Sequence, residues 1–379
     1  MSKVIMPYQT IGIIGGGQLG RMMSLAAKSM GYYVAVLDPT PNCPAAQVAD
    51  IEITAAYNDM EAIKRLARIS DVITYEFENI DYDALTYLEE NAYLPQGSDV
   101  LKVTKHRYRE KSAISNMGIP VADFYLVDSV EALEEHVIYP CVLKTTTGGY
   151  DGKGQIVIRS EEDLVAAREL VKNNECIIEK FMTFCKEISV IVARSTTGEV
   201  SVFPVAENHH VNNICHQCIV PARISRELEE KALQYAYTIS EQLDAIGVLA
   251  IEMFVVGDEI YINELAPRPH NSGHYTIDAC LTSQFEQHVR AVCGLPLGEP
   301  TLHTPVVMVN ILGNHMDPED MANLGPYIPL LPFSKLHLYG KAEAVLKRKM
   351  GHINVLGDTD NVLKIVKEAG IWEEESCIM

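Results

Sequence analysis

The chain has 379 residues, of which 47% are hydrophobic and 22% are charged, as is typical of a globular protein with two or three domains. Its formal net charge of −20 disfavours binding to nucleic acid or to anionic membranes, since both repel a negative surface. No apolar run is long enough to span a bilayer, and the first strand begins without a recognisable signal peptide, so we expect a cytoplasmic protein with reduced thiols.

The first hundred residues alternate apolar strands with helical segments, beginning with a strand at 11–14. Parallel sheets flanked by helices produce this alternation, so we expect a Rossmann-like domain over residues 1–110. The other segments predicted here are helices at 21–30 and 60–69 and strands at 33–37 and 71–77.

A glycine loop connects the first strand to the first helix. Its spacing, Gly15-x-Gly17-x-x-Gly20, with Asp38 at the end of the next strand, fits the dinucleotide-binding fingerprint. A helix N-terminus binds phosphate of any kind, however. We therefore favour a phosphate ester as the ligand and keep a nicotinamide dinucleotide and a structural turn as alternatives. Glu76 follows another strand, at the sheet edge where ligands of such domains bind.

The middle of the chain, residues 111–297, has a different pattern. A polar helix is predicted at 102–117, after which short β-rich runs surround one helix at 161–171. We expect a small α+β lid at about 121–205, followed by a long amphipathic helix at 228–243.

A second glycine loop in this part has the sequence Gly148-Gly149-Tyr150-Asp151-Gly152-Lys153-Gly154-Gln155. It follows a strand that ends at Lys144, and it lacks the Walker A pattern of P-loop enzymes. The backbone amides of such a loop, together with the two lysines, can surround phosphates. We therefore predict a phosphate-binding flap rather than a plain hairpin tip.

Two acidic residues lie inside apolar strands predicted at 248–256 and 259–265. A charge inside an apolar strand is costly unless it is paired or binds a cation. A hairpin loop centred on Asp258 would place Glu252 directly opposite Glu264, whereas a strict two-residue turn would put them on opposite faces. We favour the first register, in which the two carboxylates bind Mg²⁺, or Mn²⁺ as an alternative, over a surface ion-pair role.

The segment after the second of these strands is dense in polar groups. It reads Ala266-Pro267-Arg268-Pro269-His270-Asn271-Ser272-Gly273-His274, which suits the rim of an active site. Arg268 in this segment would stabilise negative charge that develops on an acyl phosphate.

The remainder of the chain gives weaker signals. Further β runs over residues 298–379 indicate a C-terminal β-rich domain. Its basic triplet, Lys347–Lys349, fits either a phosphate site or a solvated face. Cys215 and Cys218 form a lone C-x-x-C pair, for which buried thiols are a better interpretation than a structural metal.

The motifs together resemble those of the ATP-grasp superfamily, and within it the chain is similar to the N5-carboxyaminoimidazole ribonucleotide synthetases. The matching parts are the first glycine loop, the segment around Glu76, the flap, the segment Asn263–His274 and the tail at 338–352. The resemblance implies an α/β protein with the ATP-grasp fold, composed of an N-terminal Rossmann-like (pre-ATP-grasp) domain, a small α+β lid and a C-terminal β-rich domain.

The same resemblance implies an activity. The protein would carboxylate 5-aminoimidazole ribonucleotide with ATP and bicarbonate, via carboxyphosphate, and release ADP and phosphate in purine biosynthesis. It would act as a homodimer with Mg²⁺ as cofactor.

Roles for individual residues are also implied by the resemblance. Those expected to bind ATP are Arg107, Lys144, Gly149, Tyr150, Asp151, Gly152, Lys153, Gly154, Gln155, Glu179, Lys180, Phe181, Met182, Glu187, His210, Asn263 and Glu264. Those expected to contact the ribonucleotide are Gln18, Leu19, Glu76, Asn271, Ser272, His274, Lys341 and Arg348. The catalytic residues would be Asp151, Lys153, Arg268 and His270, and the metal ligands Glu252 and Glu264.

Three other functions remain as alternatives: another ATP-grasp ligase such as a formate-using or biotin-dependent enzyme, a nicotinamide oxidoreductase, and a catalytically inactive nucleotide-binding regulator. The close match over 263–274 disfavours the first of them. The chain departs from the family pattern at Thr145–Thr147, where an arginine is usual, and at Val211–Asn213, where Arg-x-Gly is expected.

Overall fold

The computed structural model of the protein describes residues 3–149, 154–313 and 324–371. Tyr150, Asp151, Gly152 and Lys153 of the predicted flap therefore lie outside the described residues. Among the helices of the described ranges, none has the length and apolar character needed to cross a membrane.

The N-terminal domain is built on a parallel sheet, as the alternation of strands and helices predicts. Its elements are β1 (Thr10–Ile14), α1 (Gln18–Ser29), β2 (Tyr33–Asp38), β3 (Ile51–Thr54), α2 (Met60–Ile69), β4 (Val72–Tyr75) and α3 (Tyr82–Asn91). The sheet order is β3-β2-β1-β4, with every pair parallel. Helix α1 begins at Gln18, earlier than predicted, and ends as predicted before Gly31, whose φ of 87° suits glycine.

The single helix predicted at 102–117 is wrong, because the chain forms two helices there. These are α4 (Asp99–Thr104) and α5 (Arg107–Asn116). His106 between them is extended, with φ −127° and ψ 103°. The break lets the backbone N–H of Arg107 donate to the carbonyl of Thr146 at 2.9 Å, which ties the start of α5 to the base of the flap.

The lid is a separate four-stranded antiparallel sheet with two helices. Its elements are β5 (Phe124–Val127), α6 (Val130–His136), β6 (Cys141–Thr145), β7 (Gln155–Ile158), α7 (Leu164–Asn173) and β8 (Cys176–Lys180). The strand order is β5-β8-β6-β7. Apolar side chains of α6 and α7 pack on one face of this sheet and form the core of the lid.

The rest of the chain forms one large sheet with its helices. The elements are β9 (Lys186–Arg194), β10 (Val200–Val202), β11 (Ala206–Val211), β12 (Ile214–Val220), α8 (Arg226–Gln242), β13 (Gly247–Val256), β14 (Glu259–Ala266), α9 (Thr276–Ala279), α10 (Gln284–Cys293), β15 (Val306–Leu312), β16 (Ser334–Leu338), β17 (Lys349–Leu356) and α11 (Thr359–Glu368). The order is β14-β13-β9-β11-β12-β15-β17-β16, with β10 paired to β9.

The sheet topology differs from two expectations about where the lid and the C-terminal part begin and end. Strands β9 and β10 belong to the large sheet, so the lid sheet ends at β8 rather than near residue 205. The C-terminal strands also join this sheet, because β15 pairs with β12. The predicted C-terminal β-rich part therefore continues the sheet that carries the two candidate metal ligands.

Candidate active site

A bulged hairpin places the two candidate metal ligands. Strands β13 and β14 are joined by a strict two-residue turn, Gly257–Asp258, which alone would put the acids on opposite faces. One extra residue, Asn263, shifts the register of β14 as a β-bulge, so Glu252 pairs directly with Glu264. The predicted pairing is confirmed, but its predicted cause, a loop centred on Asp258, is wrong.

The electrostatics of this pair fit a divalent cation. Burial and the neighbouring Glu264 carboxylate raise the pKa of Glu252 to about 8. Burial also acts to raise the pKa of Glu264, but Arg107, whose Nη1 lies 3.1 Å from Glu264 Oε2, outweighs it and lowers that pKa. The raised pKa of Glu252 shows that one guanidinium does not fully offset two close carboxylates, and a divalent cation such as Mg²⁺ would allow both to be ionised. Within the described ranges no group of three or more His, Cys, Asp or Glu forms a metal site.

Two cations lie beside the base of the flap. Arg107, at the start of α5, also donates from Nη2 to the carbonyl of Gly149 at 3.1 Å. Lys144 on β6 is paired with Gln155 of β7, so the two ends of the flap start together. Gly154 lies next to Gln155 with φ 71°. Arg107 thus contacts the flap directly, while Lys144 belongs to the strand from which the flap starts.

Glu179 holds Lys144 in place. Its Oε2 lies 3.0 Å from Lys144 Nζ and 3.5 Å from Lys111 Nζ. Burial acts to raise the pKa of Glu179, but the two ammonium groups outweigh it and lower the pKa to about 2. The buried carboxylate is therefore engaged by lysines. Its side chain orients Lys144, and its expected part in binding ATP stays a prediction.

Four other residues expected to bind ATP lie at the end of β8, directly after it, and on β9. Lys180 is exposed, while Phe181 and Met182 are half-buried at the end of the lid sheet. Glu187 on β9 pairs with Phe254 and therefore faces the same side as Glu252.

His210 of β11 completes this group. It forms an ion pair with the Glu187 carboxylate, which outweighs the effect of burial and raises the pKa of His210 to about 10. The structure thus brings these two residues together, as expected for groups that share one ligand.

The polar segment after β14 places His270 against the metal pair. Nδ1 of His270 accepts the backbone N–H of Ser272 at 3.3 Å, so its proton is on Nε2, which lies 3.4 Å from Glu252 Oε1. Burial lowers the pKa of His270 well below its usual value, which keeps the ring neutral. The neutral ring therefore donates toward Glu252.

Three buried polar residues that follow His270 differ in their hydrogen-bond partners. Ser272 and His274 are 1% and 0% exposed, and the Ser272 hydroxyl lies 2.9 Å from His270 Nδ1. The position of Ser272 favours support of His270 over direct ligand contact. His274 Nδ1, in contrast, lies 3.2 Å from Gln284 Nε2, and the Nε2 of His274 has no partner among the described residues. Asn271 is also buried, yet neither its side-chain nitrogen nor its oxygen has a partner, which favours a ligand or water there.

The first glycine loop is occupied by carboxylates. The N–H groups of Gly17 and Gly20 donate to the two oxygens of Glu76, and the N–H of Gly16 donates to Asp38 at 2.7 Å. The amides of Gly16, Gly17 and Gly20 are therefore engaged within the protein, which favours a structural turn at these glycines over a phosphate or pyrophosphate bound to their amides. The ligand that this loop meets stays a prediction, and the Glu76 carboxylate caps the start of α1 as an anion would.

Residues from both ends of the chain meet next to this loop. Gln18 and Leu19 begin α1, while Lys341 and Arg348 lie in the segment between β16 and β17. Burial and nearby Arg348 lower the pKa of Lys341 to about 8, against the effect of Glu76. The predicted substrate-contacting groups of the two ends therefore lie close together.

Two contacts hold this C-terminal segment. Lys341 Nζ donates to the carbonyl of Lys349 at 2.6 Å, and Gln47 Nε2 donates to the carbonyl of Gly340 at 2.7 Å. The second contact joins the segment to the N-terminal domain.

Several residues near the cleft were missed from the sequence. Glu110 and Lys111 belong to the predicted polar helix, yet both are buried on α5, and Glu78 lies in the segment after β4 that also carries Glu76. The predicted burial of Cys215 and Cys218 is confirmed, and their sulfur atoms lie 3.5 Å apart.

Three family models match the chain in succession. Residues 8–105 match the ribonucleotide synthetase preATP-grasp domain, residues 112–285 match the ATP-grasp domain, and residues 306–365 match the phosphoribosylaminoimidazole carboxylase C-terminal domain. These matches follow the N-terminal parallel sheet, the ATP-grasp part with its lid, and the C-terminal strands.

Whole-length relatives agree with these matches. The chain is 54% identical to the N5-carboxyaminoimidazole ribonucleotide synthase of Bacillus subtilis strain 168, over 94% of each chain. Its structure is similar to the ADP complex of an N5-carboxyaminoimidazole ribonucleotide synthetase, with a TM-score of 0.94 and 59% identity over 98% of this chain and 99% of the other. The Aspergillus clavatus synthase in complex with ADP and 5-aminoimidazole ribonucleotide gives a TM-score of 0.88 at 31% identity, over 95% and 97% of the two chains.

Proposed function

The chain belongs to the N5-carboxyaminoimidazole ribonucleotide synthase family, and from that membership we propose how its cleft works. It is an ATP-dependent carbon–nitrogen ligase that carboxylates 5-aminoimidazole ribonucleotide to N5-carboxyaminoimidazole ribonucleotide in purine biosynthesis. ATP and the aminoimidazole ribonucleotide are its substrates. Our further proposals are that bicarbonate supplies the carboxyl group, that Mg²⁺ (alternatively Mn²⁺) is the cofactor, and that the enzyme is a cytoplasmic homodimer.

The observation that carries this proposal is the direct pairing of Glu252 with Glu264 close to two cationic residues at the base of the flap. Arg107 contacts Glu264 and the flap, and Lys144 starts the flap. Mg²⁺ held by the two acids would neutralise charge on the ATP phosphates, as in other phosphoryl transfers. The two cations would orient those phosphates, while Glu187 and His210 lie where they can hold the nucleoside.

Two steps account for the products. A bicarbonate oxygen attacks the γ-phosphorus of ATP and the bond to the bridging oxygen breaks, which gives carboxyphosphate and ADP. The amine nitrogen of the ribonucleotide then attacks the carboxyl carbon and loses its proton, and the carbon–oxygen bond to phosphate breaks. Arg268, held by Glu78, would stabilise the charge of the acyl phosphate, and neutral His270 would orient Glu252. For Asp151 and Lys153, a place beside the reacting groups rests on family membership.

The ribonucleotide would bind where the two ends of the chain meet. Lys341 and Arg348 provide positive charge for its phosphate, and Gln18 lies at the start of α1 next to them. The unpartnered amide of Asn271 offers both a donor and an acceptor for the polar groups of the substrate.

Release of ADP tests this function. With Mg²⁺ and ATP present, we expect ADP to form much faster when bicarbonate and 5-aminoimidazole ribonucleotide are both added than when either is omitted. Equal rates in all four mixtures would overturn the proposal, and stimulation by formate instead of bicarbonate would indicate a different ATP-grasp ligase.

A further inference from the structure

Strand β14 forms the edge of the large sheet, yet its outer edge is covered. Ile262 uses both of its backbone groups there: its N–H donates to the carbonyl of Pro120 at 2.9 Å, and its own carbonyl accepts from Lys111 Nζ at 3.2 Å. Further along the strand, the N–H of Leu265 donates to the carboxylate of Glu110. Helix α5 and the segment after it therefore cap this edge with side chains as well as backbone.

The spacing of the capped residues coincides with the bulge. In a regular strand, alternate residues turn their N–H groups toward the same edge, so capped residues would be two apart. Ile262 and Leu265 are three apart, and both side chains belong to the same apolar core. Asn263 is the extra residue between them, and Glu264 is consequently turned to the cleft. The hydrogen bonds to Ile262 and to Leu265, on the two sides of Asn263, can therefore form together only in the bulged register.

Glu110 and Lys111 are unusual residues to find at such a position. Each is only 2% exposed, and burying a charged group is unfavourable unless polar partners compensate for the lost water. Apolar side chains would fill the same space but would leave a backbone N–H and a carbonyl of β14 without these partners. Lys111 also contacts Glu179 at 3.5 Å, so it joins β14 to the carboxylate that holds Lys144.

We propose that Glu110 and Lys111 are positioning residues that hold the bulged register of β14 and so keep Glu264 opposite Glu252. This inference rests on the proposed role of the two acids as metal ligands. Without the caps, a slip of one residue would turn Glu264 to the core and Leu265 to the cleft, because successive side chains of a strand point to opposite faces. Neither Glu110 nor Lys111 needs to touch the nucleotide for this effect.

Calorimetric titration with ADP tests the positioning role without turnover. The Kd for ADP is measured once with Mg²⁺ and once with EDTA, and the ratio of the two values gives the contribution of the metal. In Glu110→Leu we expect this ratio to fall by about 10-fold to 100-fold, the usual effect of losing a group that supports a metal ligand. The Kd in EDTA should change little. A purely structural defect would instead weaken binding in both conditions alike.

Glu110→Gln is the matched control, since its amide oxygen still accepts the N–H of Leu265. We expect it to restore most of the metal contribution. Should Glu110→Leu fail to fold, Lys111→Met replaces it, because its apolar stem keeps the packing but cannot donate to Ile262. The same fall in the ratio is then expected, and an unchanged ratio in the folded variant would overturn the positioning role.

A third variant distinguishes failure of this inference from failure of the proposed function. Glu264→Gln removes the charge of a proposed ligand directly, so it should abolish most of the metal contribution. If Glu264→Gln leaves the ratio unchanged, the metal assignment itself is wrong. If it lowers the ratio while Glu110→Leu does not, the metal site stands and the positioning role is wrong.

Discussion

Arg268 Nε lies 2.7 Å from the carboxylate of Glu78, so the polar segment after β14 is tied to the end of β4 in the N-terminal domain. The guanidinium therefore has a defined position before a ligand arrives. This contact also joins the sheet that carries the proposed metal ligands to the domain that would hold the ribonucleotide.

Replacement of Arg268 by methionine should lower kcat by about 10²-fold to 10³-fold, as expected when one group that stabilises developing charge is removed. The Kd for ADP should change much less, because Arg268 is not placed with the nucleotide residues. Steady-state kinetics and calorimetry give the two values. Glu78→Gln is the control: it removes the anchor but keeps the guanidinium, so its loss of kcat should be smaller. Equal losses in the two variants would argue for a purely structural role of Arg268.

Glu264→Ala should reduce ADP formation by at least about 100-fold, since a metal ion contributes several kcal/mol of charge stabilisation in the transition state. The protein should remain folded, because Glu264 is half-exposed on the cleft face of β14. Circular dichroism and a thermal melt check the fold, and Glu264→Asp provides a variant that keeps the charge. A fully active alanine variant would contradict the metal assignment.

Glu76→Ala should free the first glycine loop for anions. Loss of the carboxylate leaves the N–H groups of Gly17 and Gly20 without their acceptors, which we expect to cost about 1–3 kcal/mol of stability for each unsatisfied group. The emptied helix N-terminus then resembles an ordinary anion site. Sulfate should therefore raise the melting temperature of Glu76→Ala more than that of the unmodified protein. An equal effect of sulfate on both proteins would show that the loop amides stay closed to anions.

Binding of 5-aminoimidazole ribonucleotide should weaken as the pH rises through about 8. Burial lowers the pKa of Lys341 to about 8, so its ammonium is present below this pH and lost above it. A neutral amine attracts the substrate phosphate less strongly than an ammonium. The pH dependence of the Kd gives the midpoint, and Lys341→Arg, which stays charged, should remove the inflection. Persistence of the inflection in that variant would assign it to another group.

Much of the fold is predictable from the pattern of apolar residues. The parallel N-terminal sheet follows from alternating strands and helices, and the pairing of Glu252 with Glu264 is predicted because both acids lie inside apolar strands of one hairpin. The bulge behind that pairing is also visible in β14, where the alternating Ile260 and Ile262 are followed by two polar residues before Leu265. A prediction from turn length alone misses it, because bulges change the register after the turn.

Other features depend on contacts between distant segments and are not predictable from local patterns. The break before Arg107 goes with a hydrogen bond from its N–H to the carbonyl of Thr146 at the base of the flap. The carboxylates that bind the amides of the first glycine loop come from Asp38 at the end of β2 and from Glu76 just after β4. Glu110 and Lys111 look like exposed charges in sequence, since the edge strand that they cap is more than a hundred residues away. Charged residues of this kind are identified only by the backbone groups they meet.

The place of β12 in the large sheet has a consequence for synthesis of the protein. All residues of β12 are buried, and its pairing with β15 is completed by strands that leave the ribosome last. Until they emerge, the nascent chain presents an unpaired apolar edge, which is a template for aggregation. A messenger RNA truncated before the codon of Val306 is therefore expected to yield an insoluble product that chaperones bind and proteases degrade. It is not expected to yield a smaller enzyme with partial activity.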